Sequence, residues 1–550
     1  MKRASILAAA VLVLLGSWRL HAQQVTSDRI VHAASEPQNW LTYSGTYMSQ
    51  RYSPLKQIDT SNVKNLEIEW MLPNQVFGAW QSSPIVVDGI MYLTMRPNDV
   101  MAVDAKTGRV FWQYHYNVST DQRVCCGANN RGLAILGDTL FMGTLDAHLV
   151  AIDAKNGHAL WDSVVGEPKK GESITLAPLV VKDKVLVGIG GGEFGIRGSI
   201  EAYDPKTGKE LWRTYTVPAP GEPGHETWPG DSWTHGGGSV WVTGSYDPAL
   251  NLTYWGIGNP GPDWTPGQRK GDNLYTDSVL ALDPDTGAIK WHYQFTPNDG
   301  YDYDSVQVPV LADIDWKGAP AKVMMWANRN GFFYVLDRTN GKFLSAMPFV
   351  KVNWASGFDK DGRPMQTPQG EGMPTYPGNQ GGTNWFSPSF SPRTGLFYVS
   401  AWLDYASIYR RAPAEYVEGR TFAGAFPITK TPVPNAPAPG IGRRTPINNW
   451  TDAVAHGAVL ALDPKTMQQK WRFDQYDVTE SGNLSTGGDV LFTGGREGYF
   501  YALDARTGTV LYRKTLGGQI VNGPITYEVD GKQYVTVISG NTMVTLGLRN

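Results

Sequence analysis

The stretch Ala102-Val-Asp-Ala-Lys-Thr-Gly-Arg-Val-Phe-Trp112 decides the fold, because it keeps returning. It recurs as Ala151-Ile-Asp-Ala-Lys-Asn-Gly-His-Ala-Leu-Trp161, as Ala202-Tyr-Asp-Pro-Lys-Thr-Gly-Lys-Glu-Leu-Trp212 and as Ala281-Leu-Asp-Pro-Asp-Thr-Gly-Ala-Ile-Lys-Trp291. Decayed copies follow at 335–344, 461–471 and 502–512, and residues 391–398 look like the remnant of another. In each copy a strand ends and Asp-x-x-Thr-Gly makes a tight turn with glycine at the positive-φ position. The next strand then brings the tryptophan back. Before each copy runs an apolar alternating stretch with its own turn, such as residues 83–94 or 177–188. Two hairpins per period of roughly 40–50 residues give four strands per unit, the pattern of propeller blades. Seven copies and the remnant predict an all-β, eight-bladed β-propeller, its first strand closing against its last. The repeated tryptophans are expected to pack one blade on the next.

Working outward, the composition agrees. Gly 62, Trp 20 and Tyr 26 with only 18% charged residues describe many turns and an aromatic interior rather than a helical protein. Larger gaps between copies, from Trp212 to Ala281 and from Thr394 to Ala461, mark insertions. The second carries the proline-rich run 431–440, which cannot be central strand and is expected to be a surface excursion.

The N-terminus has Lys2 and Arg3, an apolar run over residues 6–15, and then Arg19-Leu-His-Ala-Gln23. This reads as a secretory signal over residues 1–22, too short to span a bilayer, ahead of a single propeller domain over 23–550. Loss of Lys2, Arg3 and Arg19 takes the formal charge from −3 to −6, which gives no support to nucleic-acid binding. The only cysteines, Cys125 and Cys126, are neighbours. They are either a pair of buried thiols or, in an oxidising compartment, a strained vicinal disulfide that shapes a site, since a bond closing no loop adds little chain-entropy stabilisation. With no Cys-x-x-Cys-His, covalent c-type haem is not expected.

Chemistry is expected where the repeat breaks. Such places are 125–131, 190–195, 236–241, 258–260, 298–305 and 328–331. The segment Asn298-Asp-Gly-Tyr-Asp-Tyr-Asp-Ser305 packs three carboxylates into six positions. If extended, it places Asp302 and Asp304 on one face and Tyr301 and Tyr303 on the other. A solvated acidic turn is the alternative. In a partly buried site such repulsion is relieved by a shared cation, by a proton or by an arginine; the cation is the expectation here. Glu193, Asn259, Asp302 and Asp304 are oxygen donors, the shell that hard cations take.

On these features together, the paired cysteines, the repeat and the donor order, the chain resembles the pyrroloquinoline quinone (PQQ) dependent methanol and ethanol dehydrogenases. These are periplasmic quinoproteins with an eight-bladed propeller of tryptophan-docking repeats. The resemblance implies that Glu193, Asn259 and Asp302 bind the metal and that Asp302 is also the catalytic base. It implies that Trp241 stacks under PQQ and that a Cys125–Cys126 ring covers the other face. Arg131, Thr175, Gly191, Gly192 and Ser239 look like groups that hold the cofactor's carboxylates. Arg329 resembles the arginine beside the reactive carbonyl, and Asn384 matches another cofactor contact. Gln81 stands where methanol dehydrogenases carry a glutamate, and their pocket tryptophans are not evident around Glu480 or Val521. Asp304 is similar to the extra aspartate of the lanthanide-dependent branch, so a lanthanide ion is expected, with Ca2+ as runner-up. The implied activity is oxidation of a primary alcohol, or also of an aldehyde, by hydride transfer to PQQ, with electrons passed on to a cytochrome c. No nucleic acid and no stable membrane span are implied, and a homodimer is compatible. The alternative is a non-enzymatic propeller scaffold of the outer-membrane-assembly type.

Overall fold

The computed structural model describes residues 24–424, 427–429 and 455–549 of the 550-residue chain. The signal segment 1–22 and the proline-rich run 431–440 lie outside the described residues. Eight antiparallel sheets follow one another in order. The first blade is Ile85–Val87, Ile90–Met95, Asp99–Asp104 and Val110–Tyr114. The second runs from Ala134–Leu136 to Ala159–Val164, the third from Leu179–Val181 to Glu210–Tyr215, and the fourth from Ser245–Asp247 to Ile289–Gln294. The fifth runs from Val310–Trp316 to Phe343–Pro348, the sixth from Ser389–Ser391 to Gln468–Asp474, and the seventh from Leu484–Thr486 to Val510–Thr515. The eighth joins Ile525–Val529, Lys532–Ser539 and Thr542–Leu548 to Leu66–Pro73 from the other end of the chain. This is the expected closure of an eight-bladed propeller.

Burial follows from the sequence pattern. First strands such as Ile85–Val87 are short and fully buried, whereas fourth strands such as Glu210–Tyr215 alternate with solvent. The first strand therefore lies on the inside of the ring and the fourth on its rim.

The repeat encodes the blade-to-blade joint. The turn glycines Gly108, Gly157, Gly208, Gly287, Gly341 and Gly508 have φ between 68° and 76°. A Cβ at any of them would lie 2.5–2.8 Å from the tryptophan ring of the preceding blade, so both the conformation and the space require glycine. The Nε1–H groups of Trp70, Trp112, Trp161, Trp212 and Trp471 donate to the carbonyls of Ala105, Ala154, Pro205, Pro284 and Ala505 at 3.0–3.1 Å. Each such indole buries a ring and satisfies its only donor in the next blade.

Two details differ from the repeat reading. The turn within 391–398 joins the first two strands of the sixth blade, Ser389–Ser391 and Leu396–Leu403, and the copy at 461–471 belongs to that same blade. The eighth blade carries no copy of the phrase, because its last strand comes from the N-terminal end. In the fifth blade Ser345 takes the register position of the tryptophan, and the following turn carries Met467 at φ 53° in place of glycine. The two partners of the joint are lost together.

Candidate active site

Strands of an antiparallel sheet alternate in direction, so the connections after the second and fourth strands emerge at one end of the propeller and the repeat's own turns at the other. Every segment that breaks the repeat belongs to the first kind. The connections between blades carry Cys125, Cys126 and Arg131, then Thr175, then Ser239 and Trp241, then Asp302 and Asp304, then Asn384. The connections between second and third strands carry Gly191, Gly192 and Glu193, then Asn259, then Arg329.

These segments enclose a cavity with about 670 Å³ of space between its lining atoms, part of it continuous with solvent. Cys125, Cys126, Arg131, Thr175, Gly191, Glu193, Trp241, Asp302, Asp304, Arg329 and Asn384 line it. Cys125 and Cys126 are joined by a disulfide. Their sulfurs and a Glu193 carboxylate oxygen all lie within 4.8 Å of one another. The Arg131 guanidinium sits between two aromatic rings, 4.9 Å from the Trp241 centroid and 5.0 Å from that of Trp385. Its Nη1 donates to Thr175 Oγ1 at 3.0 Å and to the Trp241 carbonyl at 3.1 Å. Trp241 is thus held by an arginine on one of its faces rather than packed into a blade joint.

At the acidic end, Asp302 does not lie on an extended strand; it has φ 65°, which reverses the expected alternation. The Asp299 carboxylate explains the shape: it accepts the N–H of Tyr301 at 2.9 Å and of Tyr303 at 2.8 Å and pins the backbone around them. Tyr301 and Tyr303 are buried in an aromatic cluster with Trp354 and Tyr409. Asp302 and Asp304 meet all the same, on one guanidinium. Arg329 Nη2 donates to Asp302 Oδ2 at 2.8 Å, and Nη1 to Asp304 Oδ2 at 2.6 Å. The remaining oxygen of Asp304 accepts the Asn259 N–H at 2.9 Å. In this structure, therefore, the arginine bridges the two aspartates. Among the described residues the carboxylates of Glu193, Asp302 and Asp304 do not all approach within 4.8 Å of one another, although they line one cavity.

The electrostatics of this end point to a cation. Burial, reinforced by Asp304, Asp263 and Glu193, holds the Asp302 carboxyl well above the ordinary range against the opposing pull of Arg329. Burial does the same to Asp263 and Asp277, and moves Asp299 up to about 6. Burial opposes the charge of Arg329, but Asp302 and Asp304 more than reverse that and raise its pKa. Six carboxylates, Glu193, Asp263, Asp277, Asp299, Asp302 and Asp304, thus face two guanidiniums, Arg269 and Arg329. Asp263 Oδ1 and both oxygens of Asp277 are buried without a hydrogen-bond partner. Such an excess of hard oxygen suits a multivalent hard cation.

Of the other sequence candidates, Gly192, Ser239 and Asn259 lie beside the lining. A Cβ on Gly192 would meet Ser239 Oγ at 3.1 Å and Asn259 Oδ1 at 3.7 Å. Ser239 and Asn259 are therefore immediate neighbours of the Glu193 turn. Gln81 is buried outside the lining, and its Oε1 has no hydrogen-bond partner. Sequence reasoning missed Asn129, Ser173, Gln380 and Trp385, which also line the cavity, and the buried acids Asp263 and Asp277. Trp385 could have been found beside Asn384, and Asp263 four residues beyond Asn259. The second insertion also reaches this end: Phe422 N–H donates to the Glu193 carbonyl at 2.7 Å and Trp264 N–H to the Ala423 carbonyl at 3.0 Å.

Comparison with known proteins agrees with this arrangement. The family model described as "PQQ: Glucose/ethanol/alcohol dehydrogenase, beta-propeller domain" matches residues 40–354 and 476–535. The quinoprotein alcohol dehydrogenase PedH of Pseudomonas putida is 39% identical, over 94% of this chain and 88% of its own. A lanthanide-dependent methanol dehydrogenase of Methylacidiphilum fumariolicum is 38% identical, over 98% and 90%. The solved structure of a europium-containing methanol dehydrogenase superposes with a TM-score of 0.87 at 34% identity, covering 95% of this chain and 100% of that one. With its eight blades, its vicinal disulfide and its acid-lined cavity, the chain belongs to the family of PQQ-dependent quinoprotein alcohol dehydrogenases.

Proposed function

We propose that this oxidoreductase oxidises primary alcohols, and aldehydes as secondary substrates, with PQQ and a lanthanide ion held in the cavity described above. The observation that carries the proposal is that the disulfide, Trp241, Glu193, Asp302, Asp304 and Arg329, drawn from five blades, line one cavity. Glu193, Asn259, Asp302 and Asp304 would hold the metal. Trp241 and the disulfide would bound the cofactor plane, with Arg131, Thr175, Gly191, Gly192, Ser239, Asn384 and, from behind, Gln81 as its polar surroundings. Bound there, the quinone supplies a hydride acceptor and the metal a Lewis acid.

This chain's own residues do the rest. Asp302 takes the alcohol's proton on a carboxylate oxygen; its burial strengthens it as a base, and Arg329 at 2.8 Å keeps the charged form accessible. Arg329, whose Nε and Nη2 also donate to the Asn379 carbonyl, is fixed as a donor for negative charge developing on oxygen. Asp304 makes three carboxylates with Glu193 and Asp302, which favours a trivalent ion, with calcium as the second choice. Export to the periplasm by residues 1–22, a single domain from residue 23 and a cytochrome c as electron acceptor belong to the same proposal. Among the described residues no helix is long and apolar enough to cross a membrane. Identity of 38–39% to enzymes along nearly the whole chain disfavours the scaffold reading.

The test is dye-linked alcohol oxidation by purified protein reconstituted with PQQ and lanthanum or calcium. Activity is expected only with both, and Asp302→Asn should lower it by about 10²–10⁴-fold. No turnover of any alcohol or aldehyde under those conditions would remove the proposal.

A further inference from the structure

Arg329 holds both aspartates of the site, yet what holds Arg329 reaches in from outside the cavity. Its Nε and Nη2 donate to the Asn379 carbonyl at 2.9 and 2.5 Å, while Nη2 also donates to Asp302 and Nη1 to Asp304. Of the five donors of a guanidinium, one on Nη1 is then left for a ligand among the described residues. Because the Asn379 carbonyl takes two donors at once, its place sets the plane of the guanidinium and with it the direction of that last donor.

Asn379 is fixed in turn. Its Oδ1 accepts the Tyr405 hydroxyl at 2.7 Å and the Ser407 hydroxyl at 3.0 Å, and its N–H donates to Ser407 Oγ at 3.0 Å. Tyr405 and Ser407 are buried, belong to the second insertion and are absent from the cavity lining. Their segment is itself paired to the chain just before Asn379: Ser407–Ile408 lies antiparallel to Pro374–Thr375, and the Gly378 N–H donates to the Tyr405 carbonyl at 2.9 Å. From the other side the Tyr303 hydroxyl donates to the Pro377 carbonyl at 2.5 Å and ties the same segment to the loop of Asp302 and Asp304. The packing is tight. A Cβ on Gly378 would stand 2.6 Å from Ser407 Oγ and from the Tyr405 ring, and one on Gly381 would collide with Arg329 Cγ. A buried network with its partners satisfied is rigid, and a donor for developing charge must already stand in place when the charge appears.

We propose that Tyr405 and Ser407 are positioning residues of the reaction: through the Asn379 side chain they fix the carbonyl that orients the Arg329 guanidinium. The second insertion thereby shapes the chemistry without lining the cavity at these positions. The inference rests on the role given to Arg329 above and deepens it.

The experiment reads kcat and KM of full-length protein saturated with PQQ and lanthanum, with a dye as electron acceptor. Tyr405→Phe combined with Ser407→Ala is expected to lower kcat about 10-fold, the rate equivalent of two lost hydrogen bonds, with KM for the alcohol unchanged. In an Arg329→Lys background, which keeps the charge and loses the planar fork, the same pair should change nothing further, because what it orients is gone. A crystal structure of the double variant without cofactor gives a readout independent of turnover and should show the Asn379 carbonyl displaced from the guanidinium. Thermal unfolding checks the fold, and Tyr405→Phe alone serves as the test variant if the pair does not fold. Equal losses of kcat in the two backgrounds, or both Arg329 contacts to the Asn379 carbonyl intact in the variant, would overturn the inference. A parent protein without turnover would overturn the proposed function instead, and the crystal structure would still decide the inference.

Discussion

At the scale of single residues, buried acids differ in what offsets their charge. Asp304 is the clearest case inside the site. It is 5% exposed and fully engaged by Arg329 and the Asn259 N–H. Asp304→Ala is expected to abolish lanthanum-supported turnover while reducing calcium-supported turnover less, measured on the reconstituted enzyme; equal loss would deny Asp304 its special role. Asp477 is the contrasting case. It is 6% exposed, its Oδ1 accepts the Val478 N–H at 2.7 Å, and its Oδ2 lies 3.9 Å from Arg496 Nε without a hydrogen bond. Burial moves its pKa up to about 6 against the pull of Arg496. A carboxyl raised in this way binds its proton in the native state before the unfolded one, so stability falls as pH rises from about 4 through 6. Asp477→Asn should therefore raise neutral-pH stability by about 1–3 kcal/mol, with no gain at pH 4, as read from denaturant midpoints at the two pH values.

At the scale of elements, the unit is the joint between an indole and the turn of the next blade. Two glycines of the second blade separate its two requirements. Gly157 has φ 76° and a Cβ there would lie 2.5 Å from the Trp112 ring, whereas Gly137 has φ 64° and nothing within 4 Å. Gly137→Ala should cost only the conformational term, about 1 kcal/mol. Gly157→Ala adds overpacking of the indole and should cost about 2–4 kcal/mol. Similar losses in the two variants on urea unfolding would mean that the indole contact contributes nothing. The same element logic explains the site. The repeat is spent on turns at one end of the ring, so the connections at the other end are free to depart from it, and they supply every lining residue of the cavity.

At the scale of the whole molecule, the ring is closed by the N-terminal part of the chain. Leu66–Pro73 completes the eighth blade by pairing with Thr542–Leu548. Just before it, the segment 47–53 runs along the inner edge of four blades: Tyr47, Met48, Gln50 and Arg51 accept N–H groups of Tyr246, Leu311, Phe390 and Ser485 at 2.8–3.3 Å. Inner strands otherwise present unpaired edges, and this segment covers them. Removing residues 24–73 should abolish the cooperative unfolding transition, since both the last strand of a blade and the cover of four others leave together. A sharp transition in the truncated protein, followed by circular dichroism, would show that contacts between blades suffice.

Much of this was legible in order along the chain. The phrase that ends in Trp112 and its copies marked seven of the eight blades and their turns, because turn chemistry and strand alternation are local and repeat wherever the same residues stand, whereas the eighth blade, which carries no copy, was counted from a remnant that belongs to the sixth. The oxygen donors Glu193, Asn259, Asp302 and Asp304 stood out as departures from that phrase, and the pairing of Cys125 with Cys126 followed from the family resemblance. What only the tertiary structure decided are relations between distant segments. That Asp302 turns through φ 65° and shares Arg329 with Asp304, and that Trp241 and Trp385 both contact Arg131, depend on connections from different blades or on the fold of an irregular loop. Such segments meet only when the ring closes, and the burial that raises the carboxyls of Asp263, Asp277, Asp299 and Asp302 does not exist before it does.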